Sequence, residues 1–160
     1  MRDSLVRFIE AQDSYGAYER AIKELTNGRK DTHWIWYIFP QIHGIGSSHN
    51  ATYYGIEGLT EAKEYLQNSL LCSRYVEAMR IVHNKLLNEE VSFLALMNAR
   101  IDCMKFTSSL TLFSIALEGL KTNEASQSAD IVRLEKFMDA IINSDQISNF
   151  PCERTRNILS

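Results

Sequence analysis

The chain has 160 residues, of which 45% are hydrophobic and 23% charged, and a formal net charge of −3. That length suits one domain with a sizeable core. The charge balance argues against a dedicated nucleic-acid surface, which needs a clustered excess of cations, yet leaves room for one local basic pocket.

Leu5, Phe8 and Ile9 share one face of a short first helix. Tyr15, Tyr18, Ile22 and Leu25 recur at helical spacing in a second, with Ser14 as the expected N-cap and Gly28 as a left-handed stop. Thr32 is expected to cap a short helix that runs through Trp34 and Trp36 and ends near Pro40, which leaves Gln41 in a turn. A buried strand over Ile35 to Phe39 is the alternative, since short apolar runs are ambiguous by period. Gly44 and Gly46 mark a turn, Ser47 to Asn50 a loop, and Thr60 caps a helix over Glu61 to Gln67. A longer helix follows, with Cys72, Tyr75, Met79, Val82 and Leu86 inward. Ser92 opens a short segment, Phe93 to Met97. The strongest helix is Ile101 to Leu117, where Cys103, Phe106, Leu110, Phe113 and Leu117 repeat at i, i+3, i+7, i+10 and i+14. Thr122 to Ser128 reads as a surface loop, and Ala129 to Ile142 as the last helix. These elements predict one all-α domain over 1–160, of six to eight helices, several short. Its core covers about 5–142, and the tail 143–160 is loosely held.

No run approaches the roughly 18 apolar residues of a membrane span. Met1 to Leu5 leads into an amphipathic pattern without a signal-peptide core, so the cytoplasm is the expected compartment, with export lacking a classical signal as the open alternative. Cys72, Cys103 and Cys152 are odd in number and far apart, and are expected as free thiols.

Two clusters carry chemistry. The first is Arg29, Lys30 and His33, where two cations precede a helix start and could hold an anion. Trp34, Trp36, Tyr37 and Phe39 follow at once. On a helix Trp34 and Trp36 point about 200° apart, so one can anchor the core while the other lines a cleft beside the cations. The second cluster is Asp102, Lys105 and Ser109, one polar stripe at the edge of the strongest helix, with Ser108 and Thr111 near it. Each cluster also has a structural reading, as dipole-favoured cations at a helix end and as an i, i+3 ion pair. The four histidines lack metal-ligand spacing, and no P-loop or dinucleotide fingerprint is present, so neither a metal nor a cofactor is expected.

The run from Gly28-Arg29-Lys30 through His33-Trp34, Trp36 and Phe39-Pro40-Gln41 to Gly44 and Gly46-Ser47, with Tyr54, Glu61-Ala62 and Tyr65-Leu66, resembles domain-of-unknown-function family 1810. So does Asp102 to Phe113. The likeness runs from about Leu5 to Ile142. It departs at Asp31, where a basic or polar residue is commoner, and at Asn68-Ser69, where a His-Pro pair is usual. The resemblance implies a compact helical domain, mostly bacterial, and no established activity. It also implies that both clusters belong to the family signature.

The functional expectation is a binder or hydrolase of a phosphorylated, nucleotide-like small molecule, with ligands derived from NAD or ADP-ribose the first to test. Arg29 and Lys30 would hold phosphate, Trp34 or Trp36 would stack a ring, and Gln41, Ser108 and Ser109 would complete the ligand contacts. Asp102 would act as base or ribose ligand, His33 as acid, base or orienting donor, and Lys105 would offset developing charge. The alternative is an interaction module without chemistry, anchored by the aromatic segment 34–39. A third reading makes the signature a buried polar network that fixes the fold. Neither nucleic acid nor membrane is an expected partner, and nothing in the sequence sets an oligomeric state. The sharpest expectation is spatial: Lys30 and His33 should meet Asp102 and Lys105 in one concave site.

Overall fold

Apolar periodicity decides most of the architecture, and one helix lies at its centre. The computed structural model describes residues 5–121, 128–147 and 149–160. α1 (Val6–Asp13) leads through a 3-10 turn (Ser14–Gly16) to α2 (Ala17–Thr26). Next come α3 (Ile35–Ile38), α4 (His49–Tyr53), α5 (Leu59–Gln67) and α6 (Ser69–His83), which runs into a π-helical turn (Asn84–Asn88). α7 (Phe93–Met97), α8 (Arg100–Lys121), α9 (Ala129–Ile142) and α10 (Glu153–Leu159) complete the chain. Ile42 and Ile56 form an isolated parallel bridge, and there is no strand among the described residues. The domain is all-α, and the segment after Trp34 is helical rather than a strand.

α8 is central because α5, α7, α9 and α10 all pack on it. Phe106, Leu110, Phe113 and Leu117 are buried on the predicted stripe, but so are Thr107, Ser108, Ser109 and Thr111. Polar groups enclosed this way need internal partners. Ser109 bonds the Tyr75 hydroxyl at 3.0 Å, and Ser108 bonds that of Thr155 at 2.8 Å. The Thr111 hydroxyl donates to the Thr107 carbonyl and accepts from the Cys152 N–H. Aromatic rings fill the space around α8, with Phe39 edge-on to Phe106 at 4.9 Å and Tyr75 against Phe113 at 4.7 Å.

Several helix ends differ from expectation, two of them because a glycine rather than a capping side chain holds the N-cap position. Ser14 does not cap α2; it opens the 3-10 turn, and Gly16 holds the N-cap position in the left-handed region. Tyr15 takes φ 51° and is 96% exposed, so it leaves the apolar face assigned to it. α5 starts from Gly58 rather than Thr60. The expected loop 47–50 already contains the first residues of α4, capped by the Ser48 hydroxyl accepting from the Ala51 N–H. Gln41 lies outside the expected turn, just before the bridge residue Ile42, and its carbonyl accepts from the Ile56 N–H at 2.8 Å. At Gly55 the chain passes so close to His43 that an added Cβ would lie 2.7 Å from the His43 Cα. Asn68 caps α6 by accepting from the Leu71 N–H.

The tail is docked rather than loose. α10 packs on α8, with Thr155 fully buried and bonded to Ser108. Most of the surface loop expected over 122–128 lies outside the described residues, while Ser128 itself caps α9.

Candidate functional site

The site begins with a carboxylate under the signature segment. α2 ends at Thr26, and Gly28, at φ 84°, turns the chain so that residues 31–34 fold back over Glu24. The Glu24 carboxylate accepts from the Asp31 N–H at 2.6 Å, the Thr32 N–H at 2.8 Å, the Thr32 hydroxyl at 2.6 Å and the Trp34 Nε1 at 3.0 Å. Burial pushes its pKa up, but hydrogen bonds from Thr32, Asp31 and Trp34 outweigh burial and bring it down to about 2. Thr32 is therefore a donor to Glu24 and not a helix cap. Trp34 precedes α3 and is fully buried in the core, its ring 6.2 Å from that of Phe39. Sequence reading missed Glu24. The signal was there: an acidic residue in the last turn of a helix opposes the dipole and needs another reason.

Lys30 is drawn inward by the same fold-back. Its N–H donates to the Leu96 carbonyl at 2.8 Å, and its carbonyl accepts from the Asn98 side chain at 3.0 Å. Its side chain is 4% exposed, and its ammonium donates to the Thr32 carbonyl at 2.6 Å. It lies 5.0 Å over the Trp34 ring. It also pairs with Asp102 at 3.0 Å, whose side chain is 15% exposed in the first turn of α8. Asp102 stands 3.9 Å from Lys105, and the Lys105 ammonium sits 4.5 Å above the Trp36 ring. The two clusters therefore meet, through Lys30 and Asp102.

On the outer side of Lys105 lies a cleft of about 390 Å³. Trp36 and Gln41 form one wall, and the loop with Ile45, Ser47 and Ser48 another. Ile101, Met104 and Lys105 of α8 form the floor, with Cys152 and Arg154 closing the far side. Arg154 donates to the Ile45 carbonyl at 2.8 Å, tying α10 to the loop across the cleft. Its described lining contains two cations and no carboxylate. Trp36 Nε1 is buried and has no hydrogen-bond partner among the described residues; Trp36, Gln41, Asn50 and Gly55 help bound a gap of about 10 Å³.

Of the residues singled out in the sequence, Trp36, Gln41 and Lys105 line this cleft. Trp34, Ser108 and Ser109 do not, because each is buried with a partner in the core. Arg29 is exposed and pairs with Asp31 at 3.3 Å, away from the lining. Asp31 therefore offsets Arg29 and leaves Lys30 to Asp102. His33 is exposed at the turn before Trp34 and is not part of the cleft wall. Tying Thr32 to Glu24 and burying Trp34 leaves the residue between them outward. Asp102 and Lys30 stand behind Lys105 as support. Within the aromatic segment Trp34, Ile35, Ile38 and Phe39 are buried, while Trp36 and Tyr37 are half-buried. Sequence reading missed Arg154, which sits in the supposed loose tail. Glu153 in a first turn, with Thr155, Ile158 and Leu159 at helical spacing, was the available sign.

The thiols are free. Cys103 donates weakly to the Phe93 carbonyl at 3.7 Å, and burial with the neighbouring Asp102 charge pushes its pKa up to about 11, which removes it as a nucleophile near neutral pH. Among the described residues no group of His, Cys, Asp and Glu could hold a metal ion, and no helix is long and apolar enough to cross a membrane.

The fold and the site define a single-domain helical protein with a cation-lined surface cleft built on its central helix. Residues 2–142 match the family model described as Protein of unknown function (DUF1810), and the chain belongs to that family. It is also similar to the conserved hypothetical protein Rv1873 from Mycobacterium tuberculosis, at 34% identity and a TM-score of 0.70, over 98% of this chain and 96% of that one. No curated protein matches the chain. Arg154 lies beyond the residues that the family model covers.

Proposed function

We propose that this protein binds a phosphorylated, nucleotide-like small molecule in the cleft between Trp36, Lys105 and Arg154. One observation carries the reading. In a chain of net charge −3, the described lining of the cleft gathers two cations and no carboxylate. A lining of that kind selects an anion. Its volume of about 390 Å³ falls in the range of small-molecule sites. Lys105 is held from behind by Asp102 and from below by the Trp36 ring, so its charge is presented with little freedom left to lose on binding. Arg154 supplies the planar fork that suits a phosphate. Ile45, Ile101 and Met104 give an apolar surface for a ring, which a bare phosphate ion would not use. Binding is favoured over hydrolysis because Asp102, the best candidate base, is engaged by Lys30.

A thermal-shift and calorimetric titration with inorganic phosphate, AMP and a sugar phosphate tests this. A ligand at 100 times its Kd contributes about 2.7 kcal/mol, a readily measured rise in melting temperature. AMP should bind, and Lys105→Met with Arg154→Met should abolish the response while the protein remains folded. A response undiminished in that double variant, or none to any phosphate ester at millimolar concentration, would sink the proposal.

A further inference from the structure

A second cleft, of about 440 Å³, opens on the other side of Met104. Phe93, Leu94, Cys103, Gln146, Ile147 and Asn149 are among its walls, and Met104 lines both clefts. Met104 stands between the two, and Ile101, three residues before it on α8, lines the first; each is 60% exposed. Scattered exposed apolar residues need no explanation, but two adjacent large ones on a helix that otherwise turns its apolar side chains inward do. They form a low ridge, with a cavity on either side of Met104. The charges near this ridge are unequal. Lys105 and Arg154 in the first cleft have no acidic neighbour in its described lining, whereas Arg100 in the second shares its cavity with Asp145. The second cleft therefore suits a neutral group rather than another phosphate. Leu94, Met104 and Ile147 supply apolar surface there, and the Gln146 and Asn149 amides can both donate and accept hydrogen bonds.

We infer that the ligand is two-headed: two ring systems joined through phosphate, of the dinucleotide class, lying across the Ile101–Met104 ridge. This rests on the anion reading of the first cleft. The linking phosphates face Lys105 and Arg154, one ring packs in the first cleft, and the other enters the second beside Leu94. A ligand of that shape covers both exposed side chains of the ridge, which a mononucleotide confined to one cleft leaves half in water. The unbranched thioether of Met104 adapts to a ring on either flank.

Calorimetric titration with AMP, ADP and diadenosine pyrophosphate tests the inference, ADP serving as the control for added phosphate charge. Diadenosine pyrophosphate should bind at least about ten-fold more tightly than ADP. Leu94→Trp and, separately, Gln146→Trp fill the second cleft from exposed positions. Each should erase that advantage and leave the affinity for ADP unchanged, which also reports that the variant is folded. Equal binding of ADP and the dinucleotide would overturn the inference and leave the first-cleft reading standing. So would an advantage that survives both variants. Failure of AMP, ADP and the dinucleotide alike would remove the first-cleft reading, and this inference with it.

Discussion

Glu24 offers the most direct test of how the signature segment is held. Its carboxylate is buried and accepts four hydrogen bonds, from Asp31, Thr32 twice and Trp34. The folded-state pKa lies near 2 against an ordinary value of 4.5. At about 1.4 kcal/mol per pKa unit, this amounts to about 3 kcal/mol of stability from ionised Glu24. Because the folded value is the lower one, that stability is fully present above pH 4.5 and is lost as pH falls from there through about 2. Glu24→Gln keeps the size, removes the charge and sets an amide donor against N–H groups that already donate. Urea unfolding at pH 7 should therefore show a loss of about 2–3 kcal/mol. The gap between wild type and variant should shrink to under about 1 kcal/mol at pH 2.5, since the unfolded wild type is protonated at Glu24 there and most of what ionisation contributes to the folded state is already offset. Other carboxylates, such as Glu77, whose pKa is lowered first by its hydrogen bond from Arg80, titrate in both proteins and cancel in the difference. A variant within 0.5 kcal/mol of wild type at pH 7, or a gap that does not change with pH, would refute this account of the clamp.

Asp102→Asn should cost about 3 kcal/mol, because it leaves the buried Lys30 ammonium without its counter-charge; an unchanged melting temperature would show that Lys30 does not need it. Thr155→Val should cost about 1–2 kcal/mol by leaving Ser108 unpaired inside the domain, and a neutral result in denaturant unfolding would mean that α10 is not docked. Iodoacetamide at pH 8 should label Cys103 far more slowly than free cysteine, since a thiol pushed up to about 11 holds only about 0.1% thiolate there; labelling at the free-cysteine rate, read by peptide mass analysis, would contradict its burial.

The amino-acid sequence by itself determined the class of fold and most of its helices. Burial of one apolar face leaves a period of 3.6 that can be read without coordinates, as in Cys72 to Leu86 and Phe106 to Leu117. It also marked Trp36, Gln41 and Lys105, which reach the cleft, because a polar stripe beside an apolar one must lie at the edge of a core. Tertiary structure alone decided which polar residues were committed elsewhere. Trp34 and Thr32 are taken by Glu24, Ser109 by Tyr75, Ser108 by Thr155, and Asp102 by Lys30, across separations of 8 to 72 residues that no local pattern encodes. It likewise decided the fate of the tail. A seven-residue helix is too short to be stable alone, so α10 exists because α8 receives Thr155, and only that docking carries Arg154 to the cleft. Hydrophobic periodicity is a local consequence of burial, whereas the pairing of buried polar groups is settled only when distant segments close on one another.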